Sequence, residues 1–345
     1  MKGRGATANP AGRFERLSVD IEPDADGDER PVPTEYFRDT SRSILVDNDS
    51  PDVPVDAAIN PYRGCEHGCI YCYARPYHEY LGLSAGVDFE SRIFVKENAA
   101  ALLRRELSAR SWRPKHVGLS GVTDPYQPIE RTLGLSRACL EVLAEFRNPV
   151  AVITKSHLVT RDADILAAMA ADEAAQVFVS ITTLDDALAR AMEPRASRPS
   201  RRLEAIARLA AAGVPVGVMV APIIPGLTDH EVPAILEAAA AAGAFTAGHT
   251  MIRLPHGVGE LFAQWLEVHV PERATRVLNR VRDVRAGRLN DATFGSRMVG
   301  SGPVAEAIHQ MFDLHRRRLG LTQKRRLSTA AFRRPGGTQV SLFQY

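Results

Sequence analysis

What most constrains the fold of this 345-residue chain is a repeated alternation of short apolar runs with amphipathic helical stretches. Apolar runs at 92–95, 117–120, 150–153, 177–181, 214–220 and 249–252 alternate with helical patterns near 97–110, 135–146, 163–171, 201–212 and 231–242. Leu102, Leu103 and Leu107 share one face of the first helix, and Leu140 and Leu143 one face of the second. Strands separated by helix-length segments predict βα units around a parallel sheet. With about six repeats and right-handed crossovers, the expected α/β fold is a partial (β/α)6 TIM-type barrel. Such barrels fill roughly 200–250 residues as one unit, which leaves room here for extensions. The expected division is an irregular N-terminal extension (1–55), a core barrel (56–255), a helical C-terminal extension (256–320) and a basic tail (321–345).

The two ends differ in kind. Residues 1–55 carry an acidic run at 20–29, then Pro31, Pro33, Pro51 and Pro54, with little apolar periodicity. Such a composition rarely forms its own core, so the segment is expected to wrap the domain. The tail holds Arg316, Arg317, Arg318, Lys324, Arg325, Arg326, Arg333 and Arg334, with no acid after Asp313. That cation run suits phosphate contacts with nucleic acid, and equally a solvated tail. Over the whole chain 43 Lys and Arg face 41 Asp and Glu, a formal charge of +2, which excludes a basic nucleic-acid coat. No stretch approaches the roughly 20 apolar residues of a membrane span. The opening MKGRGATANPAGRFE lacks the apolar core of a secretory signal, so the expected location is the cytoplasm.

Each apolar run is followed by similar residues: Ser120, Thr123 and Asp124; Thr154, Lys155 and Ser156; Ser180, Thr182 and Thr183; then Pro222 and Pro225-Gly226. The C-terminal ends of barrel strands are where such folds place their chemistry. Polar loops explain hydroxyls, but only five of the cations are lysine, which makes Lys155 stand out.

Three of the four cysteines fall within eight residues, Cys65, Cys69 and Cys72, in NPYRGCEHGCIYCYARPYHEYLG; Cys139 stands alone in a helical stretch. In a cytosolic chain this triplet reads as metal binding, not as disulfides. The spacing C-x3-C-x2-C leaves two readings open. With His67 or His78 as a fourth ligand it makes a Cys3His zinc site. Three thiolates alone suit an iron–sulfur cluster with one iron left open for a substrate or cofactor.

C-x3-C-x2-C with Tyr71 before the third cysteine resembles the signature of the radical S-adenosylmethionine (SAM) superfamily. The phrases NPYRGCEHGCIYCYAR, TDPYQPIE, TKS, RD, SITT, EPR, RRLEAI and P-x2-PG-x-TD, spread over 55–255, resemble the branch grouped with spore photoproduct lyase. Within that branch they resemble a set of uncharacterised bacterial proteins. The resemblance implies a four-iron, four-sulfur cluster on Cys65, Cys69 and Cys72, with SAM on the fourth iron. It implies a 5′-deoxyadenosyl radical that abstracts hydrogen from substrate, and a one-electron donor of the flavodoxin or ferredoxin type. The protein then orients and shields the cofactor. By position, Tyr71 is expected near the adenine, and Ser120, Thr123 and Asp124 near the SAM amino group. Lys155 and Ser180 are expected at its carboxylate or ribose, and the fork of Arg202 at a carboxylate. Spore photoproduct lyase draws hydrogen from a cysteine near the end of the second strand. Here that neighbourhood reads SGVTDPY, so the resemblance does not carry repair of the spore lesion. The alternatives are a zinc-stabilised nucleic-acid-binding protein and an iron–sulfur electron carrier or sensor.

Overall fold

The computed structural model of the chain describes residues 3–14 and 32–335; the acidic run and residues 336–345 of the tail lie outside them. Ten strands occur among these: β1 (Glu35–Arg38), β2 (Leu45–Asp47), β3 (Ala57–Ile59), β4 (Tyr62–Arg63), β5 (Arg92–Val95), β6 (Val117–Leu119), β7 (Val150–Thr154), β8 (Ala175–Ser180), β9 (Val216–Ile223) and β10 (Thr246–Met251). Six of them, β3, β6, β7, β8, β9 and β10, pair in parallel in chain order. Helices Ala99–Ser108, Leu135–Phe146, Ala163–Ala171, Pro199–Ala211 and Val232–Ala241 lie between successive strands. This is the partial (β/α)6 barrel that the alternation predicts, with β2 added antiparallel on β3.

The strand at 92–95 forms, but outside the barrel. It is the centre of a separate three-stranded sheet, β1-β5-β4. The first barrel strand is instead Ala57–Ile59, too short to stand out as an apolar run. The segment expected to be irregular therefore supplies β1 and β2, one strand to each sheet.

Glycines inside strands make room within the barrel. A Cβ on Gly217 would sit 2.7 Å from the Phe178 ring, and one on Gly248 2.7 Å from Met219 Sδ. The main core lies between sheet and outer helices. A second core joins Cys69, Ile70 and Tyr71 to helices Val258–His269 and Ala274–Asp283, so the C-terminal extension packs on the cysteine loop. Trp265 is fully buried there and donates to the Ala191 carbonyl at 3.0 Å.

The described part of the tail crosses the base of the barrel. Leu321 accepts from Ala247 N–H, His116 Nε2 meets the Leu327 carbonyl, and Ser328 N–H donates to the Glu173 carbonyl. Arg333 N–H donates to the Phe146 carbonyl, and Arg334 to those of Ala109 and Trp112. Each partner stands at or just before the start of a barrel strand, or in the first residues of β10.

Candidate active site

The cysteine loop leaves β3 at the C-terminal face, and its backbone is fixed turn by turn. Cys65 N–H donates to the Phe89 carbonyl, Gly68 to Cys65, Ile70 to Met192, Cys72 to Cys69 and Arg75 to Cys72, at 2.9–3.3 Å. Gly68 has φ +66° and the Glu90 carboxylate close against it; a Cβ there would lie 2.7 Å from Glu90 Oε2. Only glycine accepts both conditions.

A buried arginine holds this loop from beneath. Arg75 donates to the carbonyls of Gly68 (3.2 Å), Cys69 (3.0 Å), Ala85 (3.1 Å) and Gly86 (2.9 Å) and pairs with Glu90, both side chains wholly buried. Glu90 also accepts from Gly5 and Ala6 N–H at 2.8 Å, which fixes the N-terminal segment over the loop. The segment expected to wrap the domain is thus part of the loop's support.

The 123–130 segment grips the other side. Thr123 donates to the Gly64 carbonyl at 2.6 Å, and Gln127 accepts from Glu66 N–H while donating to Gly64. Glu66 accepts from Ile129 N–H and pairs with Arg195. Farther out, Glu130 receives the Tyr62 hydroxyl and Arg161, and Asp162 receives Tyr126. The phrases TDPYQPIE, RD and EPR thus fix one another and the loop.

Asp124 ties the loop to the end of β7. Its Oδ1 accepts from Thr154 (2.6 Å) and Tyr126 N–H (2.9 Å), and its Oδ2 from Lys155 N–H (2.7 Å) with His67 Nδ1 at 3.3 Å. These four donors match the roughly four lone-pair sites of a carboxylate. Burial alone would raise its pKa, but His67, Thr154 and the Lys155 amide outweigh that and hold it at about 2.

Tyr71, Thr123, Asp124 and Lys155 come together around the cysteine loop. Lys155 Nζ donates to the Ala221 carbonyl at 3.2 Å and lies 5.8 Å from the centroid of the Tyr71 ring. The Tyr71 hydroxyl meets Thr182 at 3.0 Å and donates to Glu193. Ser120 sits half-buried just past β6, and Ser180 closes β8. Arg202 stands behind this rim, wholly buried, paired with Glu193 and donating to the carbonyls of Ser197 (2.7 Å) and Ser180 (3.1 Å). Its fork meets a carboxylate, but one of this chain. Arg75, Glu90, Gln127 and Glu193 are the residues that sequence reasoning missed; the TDPYQPIE and EPR phrases pointed toward two of them.

The donor set suits an iron–sulfur centre. Three soft thiols stand on one rigid loop, and burial pushes all three up in pKa, with Asp124 adding to the effect on Cys65 and Glu193 on Cys69. Such thiols ionise when a metal compensates the charge. The candidate fourth ligands of a zinc site each use one ring nitrogen within the protein: His78 Nε2 meets the Arg92 carbonyl at 2.9 Å, and His67 Nδ1 meets Asp124 at 3.3 Å. Among the described residues no three His, Cys, Asp or Glu side chains gather about one point as a single-ion site requires.

A family model described as the radical SAM superfamily matches residues 59–239, and the chain belongs to that superfamily. Members of that superfamily bind SAM and an iron–sulfur cluster and depend on a reductant. An uncharacterised protein of Mycobacterium tuberculosis (strain H37Rv) is 38% identical over 226 residues, 65% of this chain and 66% of that one. One of Methanocaldococcus jannaschii is 31% identical over 177 residues, 50% of this chain and 62% of that one. The chain thus spans just under two thirds of the length of these relatives. Spore photoproduct lyase complexed with a dinucleoside spore photoproduct superposes with a TM-score of 0.56 at 15% identity, over 85% of both chains. At that identity the likeness is one of fold. No helix among the described residues is long and apolar enough to cross a membrane.

Proposed function

We propose that Cys65, Cys69 and Cys72 hold a four-iron, four-sulfur cluster at which this enzyme binds and reductively cleaves SAM. When bound, the cluster would supply one electron to the sulfonium of SAM, breaking its S–C5′ bond to release methionine and a 5′-deoxyadenosyl radical that takes hydrogen from substrate. The observation that carries this reading is the donor set: three thiols, and only three, on a loop pinned at the C-terminal mouth of the barrel. The chain's own part is to place and shield. Arg75, paired with Glu90, holds the loop carbonyls of Gly68 and Cys69, and Asp124 locks the loop to β7. Tyr71 and Lys155 line the mouth, where the tyrosine face suits the adenine and the ammonium suits the SAM carboxylate. Because Asp124 is saturated by protein donors, we assign it to positioning in preference to the SAM ammonium. Ser120, Thr123 and Ser180 remain the hydroxyls nearest to the cofactor's polar groups, and Arg202 acts through Glu193. The reductant is a flavodoxin- or ferredoxin-type protein, and the enzyme works in the cytoplasm. The basic tail is not given a nucleic-acid role; of its described cations Arg325, Arg333 and Arg334 contact the base of the barrel.

Anaerobic reconstitution with iron and sulfide tests this directly. The expected result is a brown protein with three to four irons per chain that forms 5′-deoxyadenosine from SAM under dithionite. A colourless zinc protein, or a brown one that leaves SAM intact, refutes it. Deuterium transfer into 5′-deoxyadenosine from candidate substrate pools then identifies the hydrogen source.

A further inference from the structure

The open side of the barrel carries a guanidinium with no ion-pair partner among the described residues. β10 ends at Met251, and the side chain of Arg253 reaches back toward the cysteine loop. Its guanidinium carbon lies 5.3 Å from the centroid of the Tyr73 ring. Tyr73 directly follows Cys72 and donates its hydroxyl to the Gly121 carbonyl at 2.8 Å. The contact therefore joins the two ends of the six-stranded sheet across its gap.

Arg253 is half-buried, and its Nε is fully buried with no hydrogen-bond partner among the described residues. Nη1 finds only the sulfur of Met298, at 3.5 Å. Burial lowers its pKa, and the neighbouring Arg297 lowers it further. Asp52, the carboxylate of this neighbourhood, is taken by Arg297 at 2.5 Å and by the Gly295 N–H at 2.8 Å. A desolvated guanidinium beside a second one, without a carboxylate of its own, is a site for an anion. Beside it Tyr73 and Tyr77 stay 46% and 53% exposed, large ring faces left open to solvent next to the cysteine loop.

We propose that Arg253, with Tyr73 and Tyr77, forms a substrate subsite that takes an oxyanion, carboxylate or phosphate, carried by a molecule whose planar group lies on the tyrosine rings. The guanidinium fork matches the two oxygens of either anion, and tyrosine faces bind planar groups at small entropic cost. This rests on reading the mouth as the place where substrate meets the radical, and it narrows the substrate to aromatic or heteroaromatic anions.

The test is calorimetric titration of the cluster-reconstituted protein with phenyl phosphate, benzoate and phenol. Both anions are expected to bind at least tenfold more tightly than phenol, and the tighter of the two identifies the oxyanion. Arg253→Met is expected to weaken the anions at least tenfold with little change for phenol, and Arg253→Lys to recover part of the loss. Tyr77→Ala, at an exposed position, is expected to weaken all three probes. Three results overturn the proposal: phenol binding as tightly as the anions, Arg253→Met binding them within twofold of the parent, or SAM displacing the probes. In the last case the guanidinium belongs to the cofactor. A parent protein that forms 5′-deoxyadenosine yet ignores the anions leaves the proposed function standing and removes only this inference.

Discussion

Asp124→Asn separates a residue that positions the loop from one that binds the cofactor. The native carboxylate receives four donors, two on each oxygen. An asparagine keeps the shape, but whichever way its amide turns, the NH2 faces one backbone N–H, of Tyr126 or Lys155, that has lost its acceptor, while the Thr154 hydroxyl or a neutral His67 can turn to accept. At about 1–3 kcal/mol for a buried donor, the loss is about 1–3 kcal/mol. The titration gives a second route. A carboxyl held at about 2, against an ordinary 3.8, contributes about 2 kcal/mol at neutral pH. The two meet at about 2 kcal/mol. Because the folded state has the lower pKa, this contribution is fully present above the unfolded value near 4 and disappears as pH falls toward 2. Urea unfolding of the metal-free chain is expected to show the variant weaker by that amount at pH 7, with the gap closing between pH 4 and pH 2. A variant as stable as the parent at pH 7, with SAM affinity reduced instead, would show that the carboxylate serves the SAM ammonium and refute the positioning role.

Alanine at Cys65, Cys69 or Cys72 is expected to abolish iron binding after reconstitution, while Cys139→Ala, wholly buried in the main core, keeps its iron and loses only about 1 kcal/mol of stability. Arg75→Met strands Glu90 as a buried, unpaired carboxylate, so a loss of about 3–5 kcal/mol in unfolding experiments and poor iron retention are expected. Ending the chain at residue 320 removes buried Leu321 and the packing of Phe332 on Phe146, and should lower stability by about 2–5 kcal/mol in the same measurement, before any question of a partner arises.

The barrel was legible where its strands are apolar on both faces, as at 117–119, 150–154 and 175–180, because parallel strands sandwiched by helices read as continuous runs. It was missed at one edge, β3, and only the second half of the other, β10, was read, as the run at 249–252. β3 is only Ala57–Ile59, and β10 opens with Thr-Ala-Gly-His, where Gly248 must leave space for Met219. The run at 92–95 has the composition of a barrel strand, but its partners at Glu35–Arg38 and Tyr62–Arg63 put it in the other sheet. Periodicity reports burial and has no information on which sheet provides it. The site divides in the same way. Cysteines and strand-end polar residues announce their chemistry by type and spacing. Arg75 and Glu90 do not, since in an arginine-rich chain one buried arginine looks like any exposed one, and its carboxylate lies fifteen residues away. Arg202 was read as a fork awaiting a carboxylate, and the nine-residue step to Glu193 is too long for a helix-surface pair to reveal.

The two faces of the barrel also settle what the basic tail can do for the chemistry. The cysteine loop, Asp124, Lys155 and Arg253 stand at the C-terminal ends of the strands. The described tail cations stand at the other end: Arg325 lies over Phe245, Arg333 holds the Phe146 and Glu145 carbonyls, and Arg334 those of Ala109 and Trp112. The barrel strands run from three residues in β6 to eight in Val216–Ile223, so at about 3.3 Å per residue the faces are about 10–25 Å apart. A polyanion gripped by the tail would lie that far from a radical that reacts only at van der Waals contact. The cations named cover an aromatic ring or meet carbonyls at helix C-termini and in the loop that follows, at the base of the barrel. Any anionic substrate has to find its countercharge at the mouth, and there Arg253 is the guanidinium left without a carboxylate.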